Sequence, residues 1–560
     1  MPKHRPLLPA VAFLTLLALG LSACSTGFYK KWADKETYGI LRKKASKVPN
    51  SGQAFLDITP PPPVRMEELR KNMKKEEFLG ERAFLEENAR VVSLAEALNF
   101  AVHRNRPYLL QKETVYLTAL NLTLVRQQYG PIFGGSGSAT KASTDAITGV
   151  NNLVRTSTLS TTGNLGFSAL TRTGTLLATN LTTNFVRFFT GGKDAGLSQL
   201  GFSLAQPLLS GAGYLSASEV LTQSERAVLY AIRNFAQYRK LFAVDIATQY
   251  YGIIQSRETA RNAYLAFKAF DFVVARETAM QKENANSTKS SVFRLVQSRI
   301  VFERSWLNAI RDYEQALDDL KVNLGLPVTE RLVVDYKDRS ALQIIESSGT
   351  LDEAITIAMT NRLDLWNFRD QVEDTSRKVL IAKQQALPSV NALVNYNMLD
   401  NPDRNDFALV PGNRNYSMGL NADLNLNQKP ERNLLRSSIV AEQQARRALE
   451  LFEENTRSDV RTGWRDLQLA RKQYDLARLG LDISTQRLEV EEAFNAEGLG
   501  SAINLVDAQR DLNTTRNLMV STTINHTLVR LRLWRDMGVL FIEKDGGWVD
   551  VLNKEKPKGE

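Results

Sequence analysis

The chain has 560 residues, 43% hydrophobic and 24% charged, with a net charge of +10. That share of charge excludes a polytopic helical membrane protein, while the length leaves room for several domains. Basic residues sit among nearly as many acids, as Arg304, Arg311, Arg446, Arg447 and Arg457 beside Glu303, Asp312, Glu450 and Glu454, so the positive balance describes a solvated helical surface and disfavours nucleic acid as a partner.

The only long apolar run, Leu7–Ala23, follows Lys3 and Arg5 and ends in small residues, the pattern of an export signal. It closes in Leu21-Ser22-Ala23-Cys24, and Cys24 is the only cysteine. This resembles a bacterial lipoprotein signal, which implies a signal peptide over 1–23 and a lipid on Cys24. Several acyl chains anchor firmly, at about 0.8 kcal/mol per buried methylene. Residues 24–91 then read as a lipid-anchored extension and linker: basic, broken at Pro60-Pro61-Pro62-Pro63, then a charged helical stretch over 66–90.

Residues 93–128 predict one helix, opened by Ser93 and Glu96 in a capping-box pattern. After Pro131 the period changes to that of strands. Against the second half of the chain about 43 residues are inserted within 134–199, a stretch rich in Gly, Ser, Thr and Asn; the sequence leaves open whether the insertion adds strands or an outer loop. Leu200, Phe202 and Leu204 alternate as a returning strand. Residues 214–284 lack proline and predict a very long helix, and about seventy residues at 1.5 Å each make a rod on the order of 100 Å. Ala227, Ala231, Phe235, Tyr238 and Phe242 form its packing seam. A return helix over 290–324 follows a reversal at Asn284–Ser287.

Residues 328–349 link to a second pass over 350–540, with 541–560 as a tail. Thr350 and Glu353 repeat the capping box, and Pro388 starts the strands. In 389–398, Val390, Ala392, Val394, Tyr396 and Met398 alternate with polar positions, and 416–426 does the same. That is the length and pattern of a membrane-crossing strand, although a soluble sandwich strand alternates alike. Helices over 431–495 and 501–537 follow, reversing at Glu497-Gly498-Leu499-Gly500. The two passes are a duplication. Residues 93–131 fall on 350–388 without a gap at an offset of 257, Asp245, Thr248, Tyr250 and Arg257 meet Asp459, Thr462, Trp464 and Arg471, and Gly325 meets Gly538.

This order resembles the TolC-like outer-membrane factor family, of a lipoprotein subtype. The likeness covers about 93–540 and rests on Ser93-Leu94-Ala95-Glu96-Ala97-Leu98, Thr350-Leu351-Asp352-Glu353-Ala354-Ile355, Gly498 through Gln509 and Leu533–Gly538. It implies an α+β membrane protein with two tandem repeats, 92–327 and 350–540. Four strands per chain would close a twelve-stranded outer-membrane barrel in a homotrimer, continued by a long periplasmic α-helical barrel. It also implies a gate on the return helix, at Asn504 and Asp507, with Ser291 and Arg294 as first-copy equivalents. Docking of a periplasmic adaptor falls at the turns, around Asn284, Asn286, Gly498 and Gly500. Arg294 and Asp507 have opposite charge: either they pair across the closed tip, within or between chains, or both are ordinary solvated charges on exposed turns.

The three histidines are scattered, and no Cys/His cluster has metal-ligand spacing. Gly191-Gly192-Lys193-Asp194 lacks the rest of a phosphate loop. The sequence therefore predicts no enzyme, no metal and no cofactor beyond the lipid. The expected role is a passive exit duct working with an adaptor and an inner-membrane efflux pump or ABC transporter. The alternatives are the duct of a type I protein secretion system and a periplasmic coiled-coil spacer without a pore.

Overall fold

Each pass through the chain goes from short helices to strands to a long helix and back. The computed structural model describes residues 26–51, 56–58, 66–72, 75–148, 152–190, 195–283, 289–340, 342, 344–345, 349–400, 409–424, 426–497 and 499–549. Helix α1 spans Thr26–Ala45, and strand β1 Arg90–Val92. The first repeat continues through α2 (Leu94–Arg104), α3 (Arg106–Gln128), β2 (Pro131–Thr148), β3 (Asn152–Leu170), β4 (Leu176–Phe188), β5 (Ala195–Pro207), the short α4 (Gly213–Ala217), α5 (Glu219–Lys282) and α6 (Lys289–Asn323). The connection holds β6 (Leu332–Val334) and α7 (Lys337–Ser340). The second repeat runs α8 (Leu351–Asn361), α9 (Leu363–Gln385), β7 (Ser389–Asp400), β8 (Leu409–Asp423), α10 (Lys429–Ala496) and α11 (Ala502–Asp536). A small hairpin, β9 (Phe541–Ile542) with β10 (Trp548–Val549), occupies what reads in sequence as a tail.

Both capping boxes form. Ser93 N–H donates to Glu96 Oε2 at 2.7 Å and Thr350 N–H to Glu353 Oε2 at 2.9 Å. The single helix expected over 93–128 is instead two, broken at Asn105 (φ −65°, ψ 120°). Arg362 breaks the second copy in the same way (φ −71°, ψ 117°).

The chain divides into two compact units, and each takes residues from both repeats. Unit 1 combines Met1–Lys44, Tyr116–Ala231 and Asn367–Leu449. Its centre is one antiparallel six-stranded sheet in the order β2-β3-β4-β5-β7-β8, open at β2 and β8. Four strands per chain were expected for the barrel, and among the described residues the sheet has six: the insertion within 134–199 supplies a further hairpin to the same sheet, with β2 and β3 paired over their full length. Helix α1 belongs to this unit's packing. Tyr116 Oη donates to Asp34 Oδ1 at 2.6 Å, and Lys44 Nζ to the Glu225 carbonyl at 2.8 Å. The start of the N-terminal extension is thus a docked helix.

Unit 2 combines Ala45–Val115, Ile232–Trp366 and Glu450–Glu560. The helix expected over 66–90 is absent. Short 3-10 turns, Met66–Glu68 and Glu77–Leu85, replace it, and the second reverses its backbone at Gly80 (φ 54°). The segment ends in β1, which pairs in parallel with β6. Glu86, fully buried, anchors it: Arg257 donates to its two oxygens at 2.7 and 2.9 Å, and Tyr313 and Tyr336 add hydroxyl bonds at 2.8 and 3.0 Å. One close approach occurs twice. Gly325 (φ 68°) lies against Arg104 and Gly538 (φ 76°) against Asn361, and those four residues are equivalent in the duplication.

Candidate functional site

Two regions carry the features expected of a duct. The first is the sheet of unit 1, where alternation sorts side chains onto two faces. On one face a hydrogen-bonded row crosses all six strands: Phe133, Phe167, Thr179, Phe202, Tyr396 and Tyr416. Five of the six are aromatic, and Phe133 and Phe167 have their rings 5.2 Å apart. The next row on this face holds Leu165, Leu181, Leu200 and Met398. On this face the edge strands are the most exposed in the single chain, Phe133 to 77%, Tyr416 to 78%, Met418 to 77% and Leu420 to 73%, while Phe167, Tyr396 and Met398 are half-buried. Eight residues beyond Phe133 along β2, Lys141 and Arg187 both approach the ring of Phe189, at 5.6 and 5.7 Å. That step is about 26 Å along the strand at 3.3 Å per residue, or about 20 Å in height at a tilt of about 40°, within the span of a membrane barrel's apolar band.

The other face is polar and almost uncharged. Ser136, Ser138 and Thr140 on β2 face Asn164, Thr162 and Ser160 on β3. Asn180 and Thr182 on β4 continue it, as do Gln199 and Ser203 on β5, Asn395 and Asn397 on β7, and Ser417 and Asn421 on β8. Such a surface takes water readily without holding ions strongly. Among the described residues no helix is long and apolar enough to cross a membrane.

The second region is the reversal between α10 and α11 in unit 2. Ala266, Phe267, Phe270, Leu295, Phe302 and Val506 form a buried cluster in which Phe270 stacks on Phe302 at 4.5 Å. Arg276 donates to the Asn495 carbonyl at 2.7 Å, tying α5 to the end of α10. Burial of Leu295 and Val506 fixes the neighbouring Arg294 and Asp507 at the surface. Arg294 and Asn504 are exposed, Ser291 and Asp507 half-buried. Asp507 pairs one turn onward with Arg510 at 3.4 Å, and no ion pair joins Asp507 to Arg294 within the chain. The sequence reading missed Arg510, although its spacing of three from Asp507 is a helical contact distance.

Of the turn residues, Gly500 is described and Asn284, Asn286 and Gly498 lie outside the described residues, as does Cys24. The Gly500 and Leu499 amides both donate to the Phe494 carbonyl, at 2.9 and 3.0 Å. A Cβ on Gly500 would come within 2.6 Å of the Asn495 nitrogen, so only glycine closes this turn. Gly500→Ala should destabilise the tip by about 1–3 kcal/mol, as overpacking does, seen as faster proteolysis within 493–501.

His103 and His526 both lie in helices. His103 Nδ1 lies 2.7 Å from the Asn99 carbonyl. His526 is buried, and desolvation with the Arg530 and Arg471 charges pushes its imidazole down to about 4. Among the described residues no group of acids, histidines or cysteines could hold a metal.

A strand system with an apolar band on one face and a wet wall on the other thus stands in one chain with helices of 64 and 68 residues. The sequence pattern of the family described as Outer membrane efflux protein matches residues 354–533. The fold is similar to that of CusC (TM-score 0.59, 14% identity, 80% of this chain and 92% of that one). VceC from Vibrio cholerae is similar at TM-score 0.58 and 13% identity, over 80% of this chain and 96% of that one. So is CmeC of Campylobacter jejuni, at TM-score 0.58 and 13% identity over 80% and 85%. No curated protein matches the sequence. Residues 354–533 thus carry the outer membrane efflux protein pattern, and 80% of the chain shares the fold of these channels.

Proposed function

We propose that this chain is the passive exit duct of a tripartite efflux system, a homotrimer held in the outer membrane by its sheets and by a lipid on Cys24. The observation that carries the reading is the aromatic row, which marks a membrane interface on a sheet whose two edges stay unpaired in one chain. An open sheet edge is untenable in lipid, because each unpaired amide and carbonyl costs several kcal/mol there. Copies related by a closed rotation supply the missing pairing. Energy comes from an inner-membrane pump, and the docking face for a periplasmic adaptor is the α10–α11 reversal with Gly498 and Gly500, together with the segment holding Asn284 and Asn286.

Asp507 serves this duct as a ring of three carboxylates near the tunnel end, with Asn504 beside it, Ser291 and Arg294 as the first-copy counterparts, and Arg510 moderating the charge. Exposed pairs contribute only about 0–1 kcal/mol, so the ring acts through ion preference and not as a lock. In planar bilayers the purified trimer should give discrete steps with cation preference. Asp507→Ala should move that preference towards anions, and Arg510→Ala further towards cations. Steps indifferent to both variants would remove the ring. No steps and no β-sheet spectral signal would overturn the duct.

A further inference from the structure

We infer that β2 of one copy pairs with β8 of the next, so that three sheets of six strands close an eighteen-stranded barrel. The inference rests on the trimeric reading above and goes beyond it in the number of strands that line the exit. The alternative is that only β4, β5, β7 and β8 join the wall, twelve strands in all, with the β2–β3 hairpin lying outside it.

The aromatic row decides between them. It runs in unbroken hydrogen-bonded register from Phe133 on β2 to Tyr416 on β8. The inserted strands therefore continue, pair for pair, the aromatic row of β5, β7 and β8. A hairpin lying outside the barrel would have no use for Phe133 and Phe167 in line with that row. The polar face is continuous too, since Ser138, Thr162, Asn184 and Leu197 share one row and Ser136, Asn164, Thr182, Gln199 and Leu399 the next. Only β2 and β8 keep an open edge, with 18 and 15 residues respectively.

Barrel width follows strand number. With strands about 4.8 Å apart and tilted about 40°, eighteen give a backbone radius of about 18 Å where twelve give about 12 Å. Barrels of this strand number leave an aqueous channel once side chains point inward. Its wall here is hydroxyl and amide. The barrel is accordingly the least selective part of the duct, wide enough for large polar solutes, and sorting falls to the helical end.

Paired cysteines in the full-length chain test the seam. Within one chain β2 and β8 are separated by four strands, about 24 Å at 4.8 Å per step, and β4 and β8 by two. Neither pair can form a disulfide internally, since bridged Cα atoms lie within about 7 Å. Ser136→Cys, Ser138→Cys or Thr140→Cys, each combined with Ser417→Cys, should give dimers and trimers on oxidation in outer-membrane vesicles, in at least one of the three registers. Thr182→Cys with Ser417→Cys should stay monomeric on denaturing gels. Intermolecular bridging from Thr182→Cys would establish the twelve-stranded closure and overturn the inference, as would a trimer by native mass that bridges from neither strand. A monomer by native mass, with no bridges, would instead overturn the trimeric reading itself.

Discussion

Arg257→Met should cost unit 2 about 3–5 kcal/mol, the usual penalty for stranding one charge of a buried pair. Arg257 reaches Glu86 with two bonds and Glu76 with a third contact at 3.2 Å, and its guanidinium lies 3.5 Å over the Tyr336 ring and 4.8 Å over that of Phe78. Burial works against its charge, but the Glu86 hydrogen bonds hold the guanidinium well above its ordinary value. Burial, together with the Glu86 charge, pushes the Tyr313 and Tyr336 phenols far up, so both remain hydroxyl donors at every working pH. Removing Arg257 leaves a carboxylate with no exposed surface and only neutral donors. The double change Arg257→Met with Glu86→Gln removes that stranded charge and should be more stable than Arg257→Met alone. The two are compared by protease cleavage in 66–90 against urea concentration. A double variant weaker than Arg257→Met would show that packing, and not the charge, holds this segment.

Gly538→Ala should be as severe, for a backbone reason. Its φ of 76° is left-handed, which costs a residue with a Cβ roughly 1–2 kcal/mol. The new methyl would also lie 2.9 Å from both the carbonyl carbon and oxygen of Asn361 and 3.2 Å from the Arg362 nitrogen. All three neighbours are backbone, so nothing can rotate away. The combined loss should exceed about 4 kcal/mol, beyond the ordinary range of single substitutions. Gly325→Ala meets the same obstacle at the Arg104 carbonyl carbon, 2.7 Å away. Gly252, in the middle of α5 with nothing within 4 Å, is the internal control. There alanine should stabilise by about 0.5–1 kcal/mol, because glycine is a poor helix former. Thermal unfolding of the three variants side by side checks the contrast, and equal effects would reject the backbone account.

The second copy was the legible one. Val390, Ala392, Val394, Tyr396 and Met398 declare a strand because every second residue is apolar, and β7 covers them all. Strand β8 instead starts at Leu409 and ends at Asp423, earlier than the alternation over 416–426 predicts. The inserted strands hid for a physical reason: β2 places Gly135, Gly137 and Ala139 on its apolar face, too small to register as hydrophobic, while Ser and Thr fill the other. Their aromatic anchors, Phe133 and Phe167, become legible only when cross-strand register aligns them with Tyr396 and Tyr416. The break at Asn105 did leave a signal in Pro107, which suits the first turn of a helix. At the tip, spacing placed Asp507 on the return helix, but its nearest partner, Arg510, came from the structure.

The repeat is a unit of ancestry without being a unit of folding. Val506 of the second copy completes a cluster otherwise made by the first, and Lys240 of the first donates, buried, to the Gly538 carbonyl of the second at 2.7 Å. Each compact unit draws on both copies, so whatever single-copy ancestor preceded this chain had to find its complement in a second molecule. Fusion then made that encounter intramolecular, replacing a dependence on concentration with a covalent tether.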